Sequence, residues 1–307
     1  MYNDLNKSQR FTFIFDSGVP GTDRATEALD FAHDAGIDIV FNYSAVNSET
    51  AAIDSYLAYA AEKNVRVGVS FKDFYGDKDL DPDPGNQAIH NFYGSTNIER
   101  VTKLTQAFEA SPAGNGIWGY FLADEPEGVD PDASAADIAA KVKIQHDIVK
   151  SITSKPTLSA HWRLPSVDLQ TLAQGSDNLM MNYHPYPDGP NQTYGPVEDI
   201  ESVARDTAAA AGDNSWFNLQ AFSYYVNEPY KIEPFGFPSS PPDSNQGAPD
   251  TQQMVDMAKR ALKGGVCHLG FFSYGYAKQV GDHQLANLKE AIRIIHELPE
   301  YRLGCPR

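Results

Sequence analysis

Eight short apolar runs, each followed by a stretch with helical spacing, leave this chain few architectures. The runs are Phe11–Phe15, Ile37–Phe41, Val65–Phe71, Ile117–Ala123, Pro156–Ala160, Asn178–Tyr183, Trp216–Phe222 and Val266–Ser273. Short runs that are apolar at nearly every position suit parallel strands buried on both faces. The segments between them carry helix starts. Thr22 precedes Ala25–Phe31 and Ser48 precedes Ala51–Ala61, while Thr96/Glu99 and Asp250/Gln253 have the spacing of a capping box. The 136–152 segment repeats apolar residues at Ile138, Val142, Val149 and Ile152, and Lys263-Gly264-Gly265 ends another helix. No linker and no short-period repeat interrupts the alternation. It predicts one α/β domain, a single (β/α)8 TIM barrel spanning residues 1–307.

Charge narrows the partners. With 41 acidic against 24 basic residues the net charge is −17, so phosphate backbones and anionic lipid surfaces are repelled, and neither nucleic acid nor a membrane is expected. No apolar run reaches the length of a membrane span, and Met1–Arg10 is polar. The reading favours a monomer working outside the cell after loss of a leader, with the cytoplasm as the alternative. Cys267 and Cys305 are too few for a disulfide scaffold, and whether they pair stays open. The histidines lack the spacing of a zinc site, so neither a catalytic metal nor a cofactor is expected.

A barrel of this kind carries its chemistry at the carboxyl ends of its strands, and those ends are rich here. Asp16 follows the first run, Asn42-Tyr43 the second and Lys72-Asp73 the third. Asp124-Glu125-Pro126 ends the fourth, His161-Trp162 the fifth and Tyr183-His184-Pro185-Tyr186 the sixth. Gln220 lies near the end of the seventh and Tyr274 follows the eighth. Asp16, Asn42, Lys72, Asp73, Trp162, Tyr183, His184, Tyr186, Gln220 and Tyr274 are the candidate substrate-binding residues. Asp124-Glu125-Pro126 is the sharpest element. Consecutive strand residues point to opposite faces, but Pro126 stops the ladder and lets both carboxylates tip toward the mouth. Cleavage of a glycosidic bond needs a proton donor beside the leaving oxygen, and Asp124 would keep Glu125 protonated by like-charge repulsion.

The segments Trp118–Pro126, Val67–Asp73, Asp177–Pro187, Leu219–Phe222 and Gly270–Tyr274, in that order, resemble the strand motifs of TIM-barrel glycoside hydrolases and their uncharacterised relatives. The resemblance covers most of the chain and implies a carbohydrate substrate with Glu125 as general acid/base. It also marks a departure. Many such barrels end strand seven in a nucleophilic glutamate, whereas this chain has Gln220-Ala221-Phe222. The second carboxylate must come from elsewhere: Asp124 first, with Asp16, Asp73 and Glu228 as alternatives. Two rival readings follow, a carbohydrate-binding barrel without catalysis and a lyase or aldolase using Lys72 as Schiff base. Three loop features complete the reading. Asp77–Asp83 alternates carboxylates as some calcium loops do, Asn191-Gln192-Thr193 is a glycosylation sequon, and the long 226–249 stretch, with Phe235 and Phe237, would wall or cover the site.

Overall fold

Eight parallel strands pair in chain order and close the ring between the last and the first. A computed structural model describes residues 9–75, 96–162, 168–185, 196–229, 239, 241 and 246–305. The strands are β1 (Thr12–Asp16), β2 (Ile39–Asn42), β3 (Arg66–Ser70), β4 (Ile117–Asp124), β5 (Thr157–Trp162), β6 (Asn178–Tyr183), β7 (Ser215–Gln220) and β8 (His268–Phe272). The helices that cover them are α1 (Asp23–Ala35), α2 (Thr50–Glu62), α3 (Asn97–Ala110), α4 (Pro126–Val129), α5 (Ala135–Ile152), α6 (Leu169–Leu172), α7 (Ile200–Ala211), α8 (Tyr224–Asn227), α9 (Thr251–Gly264), α10 (Tyr274–Val280), α11 (Asp282–Glu297) and α12 (Pro299–Arg302). The architecture is the (β/α)8 barrel that the alternation of runs predicts. Among the described residues no helix is long and apolar enough to cross a membrane.

Local sequence explains most helix boundaries. Thr96 accepts the Glu99 amide, and Asp250 and Gln253 exchange both bonds of a capping box. Ser134 and Asp137 form a second such box at the start of α5. Ser48 does not open α2, which begins one turn position later behind Glu49. Gly36 and Gly265 stop α1 and α9 in the left-handed region, at φ 73° and 93°.

Strand alternation divides the core in two. One set of side chains packs outward under the helices; the other fills the barrel. The inner set is bulky and aromatic: Phe13, Phe15, Phe41, Trp118, Phe121 and Trp216, with Ile39, Leu158, Ala160 and Met180. Rings of that size fit only because two inward positions are glycine. A Cβ at Gly68 would stand 2.1 Å from the Phe41 ring, and one at Gly270 would stand 2.3 Å from the Phe13 ring.

Strand β4 breaks the alternation twice: Trp118 and Phe121, three residues apart, both face inward across a register shift against β3, and a second break lies nearer the mouth. Phe121 faces inward, but Leu122 and Ala123 both join the outer layer, and the pairing with β5 shifts register between Phe121 and Ala123. This bulge moves the following residue to the opposite face from the one a regular strand would give it. Asp124 therefore faces the barrel axis.

The amino-terminal end of the barrel is closed by His268, which stacks on Phe11 and Trp216 with centroids 5.0 and 4.2 Å away. Its Nδ1 accepts the Phe11 amide at 3.1 Å, which fixes the neutral tautomer. Burial and the nearby Arg10 guanidinium push its pKa down to about 3. Beside it Cys267 and Cys305 form a disulfide that ties the carboxyl-terminal segment to β8.

Two outcomes are expected at this pole. The disulfide closes a span of 38 residues, which in the loop-entropy account is worth about 4 kcal/mol. Cys305→Ser should lower stability in chemical denaturation by roughly that amount, and an unchanged midpoint would remove the disulfide from the account. For His268, the unfolded imidazole titrates near 6.5 and the folded one near 3. Its contribution is complete above pH 6.5 and is lost as pH falls toward 3. Wild type should therefore lose more stability than His268→Gln between pH 7 and 5, and parallel curves would contradict the assignment.

Candidate active site

The carboxyl-terminal mouth brings two adjacent acids onto one amide. Asn182 faces inward from β6, and its Nδ2 donates to Asp124 Oδ1 at 3.2 Å and to Glu125 Oε1 at 2.9 Å. Its Oδ1 accepts from Asn218 Nδ2 on β7 at 3.0 Å. That bond orients the Asn182 amide, so its NH2 group has to face the acids. The other Asp124 oxygen accepts the Tyr43 hydroxyl at 2.7 Å.

The backbone at Glu125 is unusual. Its φ and ψ are 50° and 52°, the left-handed region, which costs a residue with a Cβ about 1 kcal/mol or more. The turn is held on both sides: the Glu125 amide donates to Ala160 O at 2.9 Å, and Pro126 occupies the first position of α4. The bulge aims Asp124 inward and the left-handed turn carries Glu125 to the same amide. Pro126 alone, the device suggested by the sequence, starts the helix but does not produce the geometry.

Behind the turn lies a buried polar chain. Glu127 of α4 is 3% exposed and its Oε1 lies 2.5 Å from His161 Nδ1. His161 Nε2 meets Ser159 Oγ at 3.0 Å, Ser159 meets Ser176 at 2.9 Å, and Ser176 donates to Asn178 O. Both Ser159 and His161 alternate with the inward Leu158 and Ala160, so this chain runs between strand and helix, outside the cleft. It anchors α4 to β5 and so fixes the turn that carries Glu125.

Around the acids the mouth is charged on one side and aromatic on the other. Lys72 donates to Asp73 at 2.9 Å and sits 5.1 Å from the centre of the Tyr43 ring. Burial disfavours its ammonium, but Asp73 and Asp124 together outweigh burial and hold its pKa above the usual lysine value. A Schiff-base lysine needs the opposite shift. For Asp124, burial raises the pKa against the pull of Lys72, Tyr43 and Asn182. Burial and the Asp124 charge also raise the Tyr43 pKa, which keeps the phenol a donor. The aromatic side consists of Phe15, Tyr43, Phe121 and Phe272, in mutual contact at centroid distances of 5.2 to 6.2 Å. His184 lies against Phe272 and Phe222. Gln220 alternates with the inward Trp216 and Asn218, and its Nε2 donates to Phe222 O at 2.8 Å.

Several residues expected at the site are placed elsewhere. Asp16 alternates with Phe13 and Phe15, so it points outward, where it accepts the Gly18 amide at 2.7 Å; burial raises its pKa. Asn42 alternates with Phe41 in the same way and donates to Gly18 O and Tyr56. Tyr183 follows the inward Asn182, packs on Phe217 and donates to Pro196 O. Tyr274 is buried against Phe31 under the helices. In each case strand or helix phase turns the side chain out of the mouth. Trp162 ends β5 and packs where a Cβ at Gly128 of α4 would stand 3.3 Å away. Glu228 is buried at the end of α8. Tyr186, the Asp77–Asp83 loop, the Asn191 sequon, Phe235 and Phe237 lie outside the described residues.

The residues that do meet Asp124 include two neighbours of expected ones, Tyr43 beside Asn42 and Asn182 beside Tyr183. Counting inward positions from Phe41 and Met180 finds both. Asn218 follows from Trp216 by the same count. The Glu127–His161 pair has no local signal, since it joins residues 34 apart.

No protein-family model and no curated protein matches the chain. Solved structures do. GH5_18 from Streptomyces cattleya, crystallised with Manβ1-4GlcNAc, superposes with a TM-score of 0.61 at 11% identity, covering 97% of this chain and 82% of that one. The endo-1,4-β-mannanase of Rhizomucor miehei gives 0.58 at 13% identity, with 94% and 96% covered. The β-1,4-mannanase of the sea hare Aplysia kurodai gives 0.56 at 11%, with 99% and 97% covered. At these identities the likeness establishes a shared (β/α)8 fold.

The buried chain behind the turn gives a test of the site's support. Glu127→Ala leaves the His161 imidazole buried without its carboxylate, and loss of one partner of such a pair costs about 3 kcal/mol. Urea denaturation should show a loss of that order. A change below about 0.5 kcal/mol would mean that the pair does not hold α4.

Proposed function

We propose that the protein is a glycoside hydrolase with Glu125 as general acid and Asp124 as its carboxylate partner. The observation that carries the reading is the meeting of these two carboxylates on the Asn182 amide, at a barrel mouth lined by aromatic rings. Hydrolysis of a glycoside asks for a proton at the leaving oxygen and a second carboxylate in the same cleft. Apolar ring faces at Tyr43 and Phe272 suit the flat faces of sugars. The neighbours in fold are named as mannanases or were crystallised with Manβ1-4GlcNAc and GlcNAc, which supports a carbohydrate as the bound species. Lys72, Asp73, His184 and Gln220 are the side chains proposed to bind sugar hydroxyls. The Cys267–Cys305 disulfide supports work in an oxidising compartment, outside the cell.

One observation favours a second reading. An amide, Gln220, stands where a barrel of this type can carry its nucleophile, and a carbohydrate-binding barrel without catalysis would keep the aromatic wall and tolerate that residue.

Glu125→Gln separates the two. Positioned acid catalysis is worth about 10²–10⁴-fold, so the variant should lose turnover of natural glycosides by that factor. It should lose less on aryl glycosides whose leaving group needs no proton, and should keep sugar binding in calorimetry. Gln220→Ala should weaken binding by about 1 kcal/mol and spare most turnover. Equal losses on both leaving-group classes would contradict the acid role.

A further inference from the structure

Ser159, His161 and Glu127 have the atom order of a serine nucleophile with its base: Oγ lies 3.0 Å from Nε2, and Nδ1 lies 2.5 Å from a carboxylate oxygen. The direction of their protons shows a different device. Ser176 Oγ lies 2.7 Å from Asn178 O, an oxygen that only accepts, so the Ser176 hydroxyl proton is used there. The 2.9 Å contact between the two serines is then made by the Ser159 proton. Ser159 has no proton left for the imidazole, so His161 Nε2 is the donor at 3.0 Å. A serine that receives from its histidine is not activated by it.

The other end of the chain follows from this. With Nε2 protonated, one more proton has to lie between Nδ1 and Glu127 Oε1, because two lone pairs do not approach to 2.5 Å. The pair therefore shares one proton and carries no net charge, whichever partner the proton is nearer. That suits its surroundings. Glu127 is buried, and among the described residues its Oε2 has no hydrogen-bond partner, so a net charge there would be costly.

The chain reaches the candidate acid through the backbone. Ser159 and His161 flank Ala160, whose carbonyl accepts the Glu125 amide at 2.9 Å, and Glu127 lies two residues beyond Glu125. The 125–127 turn is thus tied twice to the 159–161 segment. Glu125 stands at φ 50°, a conformation that a residue with a Cβ keeps only where its surroundings hold it. Resting on the glycoside-hydrolase reading, we propose that Glu127 and His161 are positioning residues for the general acid. As a pair with one shared proton and His161 Nε2–H on Ser159, they keep Glu125 in its left-handed turn and on the Asn182 amide. Neither touches substrate, since both lie on the outer side of β5. They act by geometry, so the bond between them has to exist but need not be charged.

The test compares Glu127→Ala, which loses the tie, with Glu127→Gln, in which the side-chain amide donates to His161 Nδ1 and the tie is kept. Both are assayed beside wild type on phenyl and 2,4-dinitrophenyl glycosides of glucose, galactose and mannose in both anomeric forms, and on β-1,4-mannan oligosaccharides. Misplacing a reacting group by about 1 Å costs about 10²-fold, so Glu127→Ala should lower kcat on phenyl glycosides by about that factor with KM unchanged. The 2,4-dinitrophenyl glycosides, whose leaving group needs no proton, should lose far less, and Glu127→Gln should recover most of the lost turnover. Amide hydrogen exchange gives a readout independent of activity. Relative to amides inside β6, the Glu125 amide should exchange faster in Glu127→Ala and at the wild-type ratio in Glu127→Gln. In wild type, NMR with ¹⁵N-labelled histidine should show His161 Nε2 protonated at neutral pH, a measurement that decides even if Glu127→Ala does not fold. Equal loss on both leaving-group classes, no recovery in Glu127→Gln, unchanged Glu125 exchange, or an Nε2 without its proton would overturn the inference and leave the hydrolase reading intact. Wild type that cleaves no member of the panel would overturn both.

Discussion

Two consecutive residues of a regular strand cannot face the same side of a sheet, and the candidate site depends on how the chain escapes that rule. Leu122 and Ala123 both turn outward at the β4 bulge, which brings Asp124 to the axis. Glu125 then adopts a left-handed backbone, and Pro126 starts a short helix from that turn. Everything chemical at the mouth follows from these three local events. Counted from the inward Phe121, Asp124 without this second bulge would point under the helices, as Asp16 and Asn42 do at the ends of their own strands.

Holding two carboxylates in a mouth floored by phenylalanine has a desolvation cost, and the surrounding donors offset it. Asn182 serves both acids, Tyr43 serves Asp124, and the Lys72 charge lies close by. Each donor is itself constrained: Asn182 by Asn218, Tyr43 by ring contacts with Phe15 and Phe121, and Lys72 by Asp73. On the far side of the strand the Glu127–His161 bond fixes the helix that follows Glu125. The acids are thus positioned from inside the cleft by amides and a phenol, and from outside it by a buried carboxylate–imidazole pair. Such support on rigid elements is what a preorganised site requires.

Much of this could be read in the chain. The eight runs, the alternation with helices and the clustering of polar residues after the runs lead to the barrel and to its functional end. The capping box at Asp250 is local chemistry, visible as spacing. Which of two neighbouring residues faces the axis was less legible. Asn42 and Tyr183 carry attractive side chains, yet Tyr43 and Asn182 occupy the inward positions. The inward phase of each strand can be counted from its bulky apolar residues, and that count favours Tyr43 and Asn182. Only in β4 would the count mislead, because two bulges reset it between Trp118 and Asp124.

The sequence by itself determined the order of elements, the rim at which chemistry collects and the identity of the Asp-Glu-Pro signature, because these rest on periodicity and on residue type along the chain. The tertiary structure decided where the side chains point and what they meet. The Asn218–Asn182 relay, the Tyr43 bond to Asp124, the His161–Glu127 pair and the Cys267–Cys305 disulfide each join segments that only barrel closure brings together. Local sequence encodes dihedral preference and burial. It does not encode which distant donor will lie within hydrogen-bonding distance of a given acceptor, since that is set by strand register and by packing across the core.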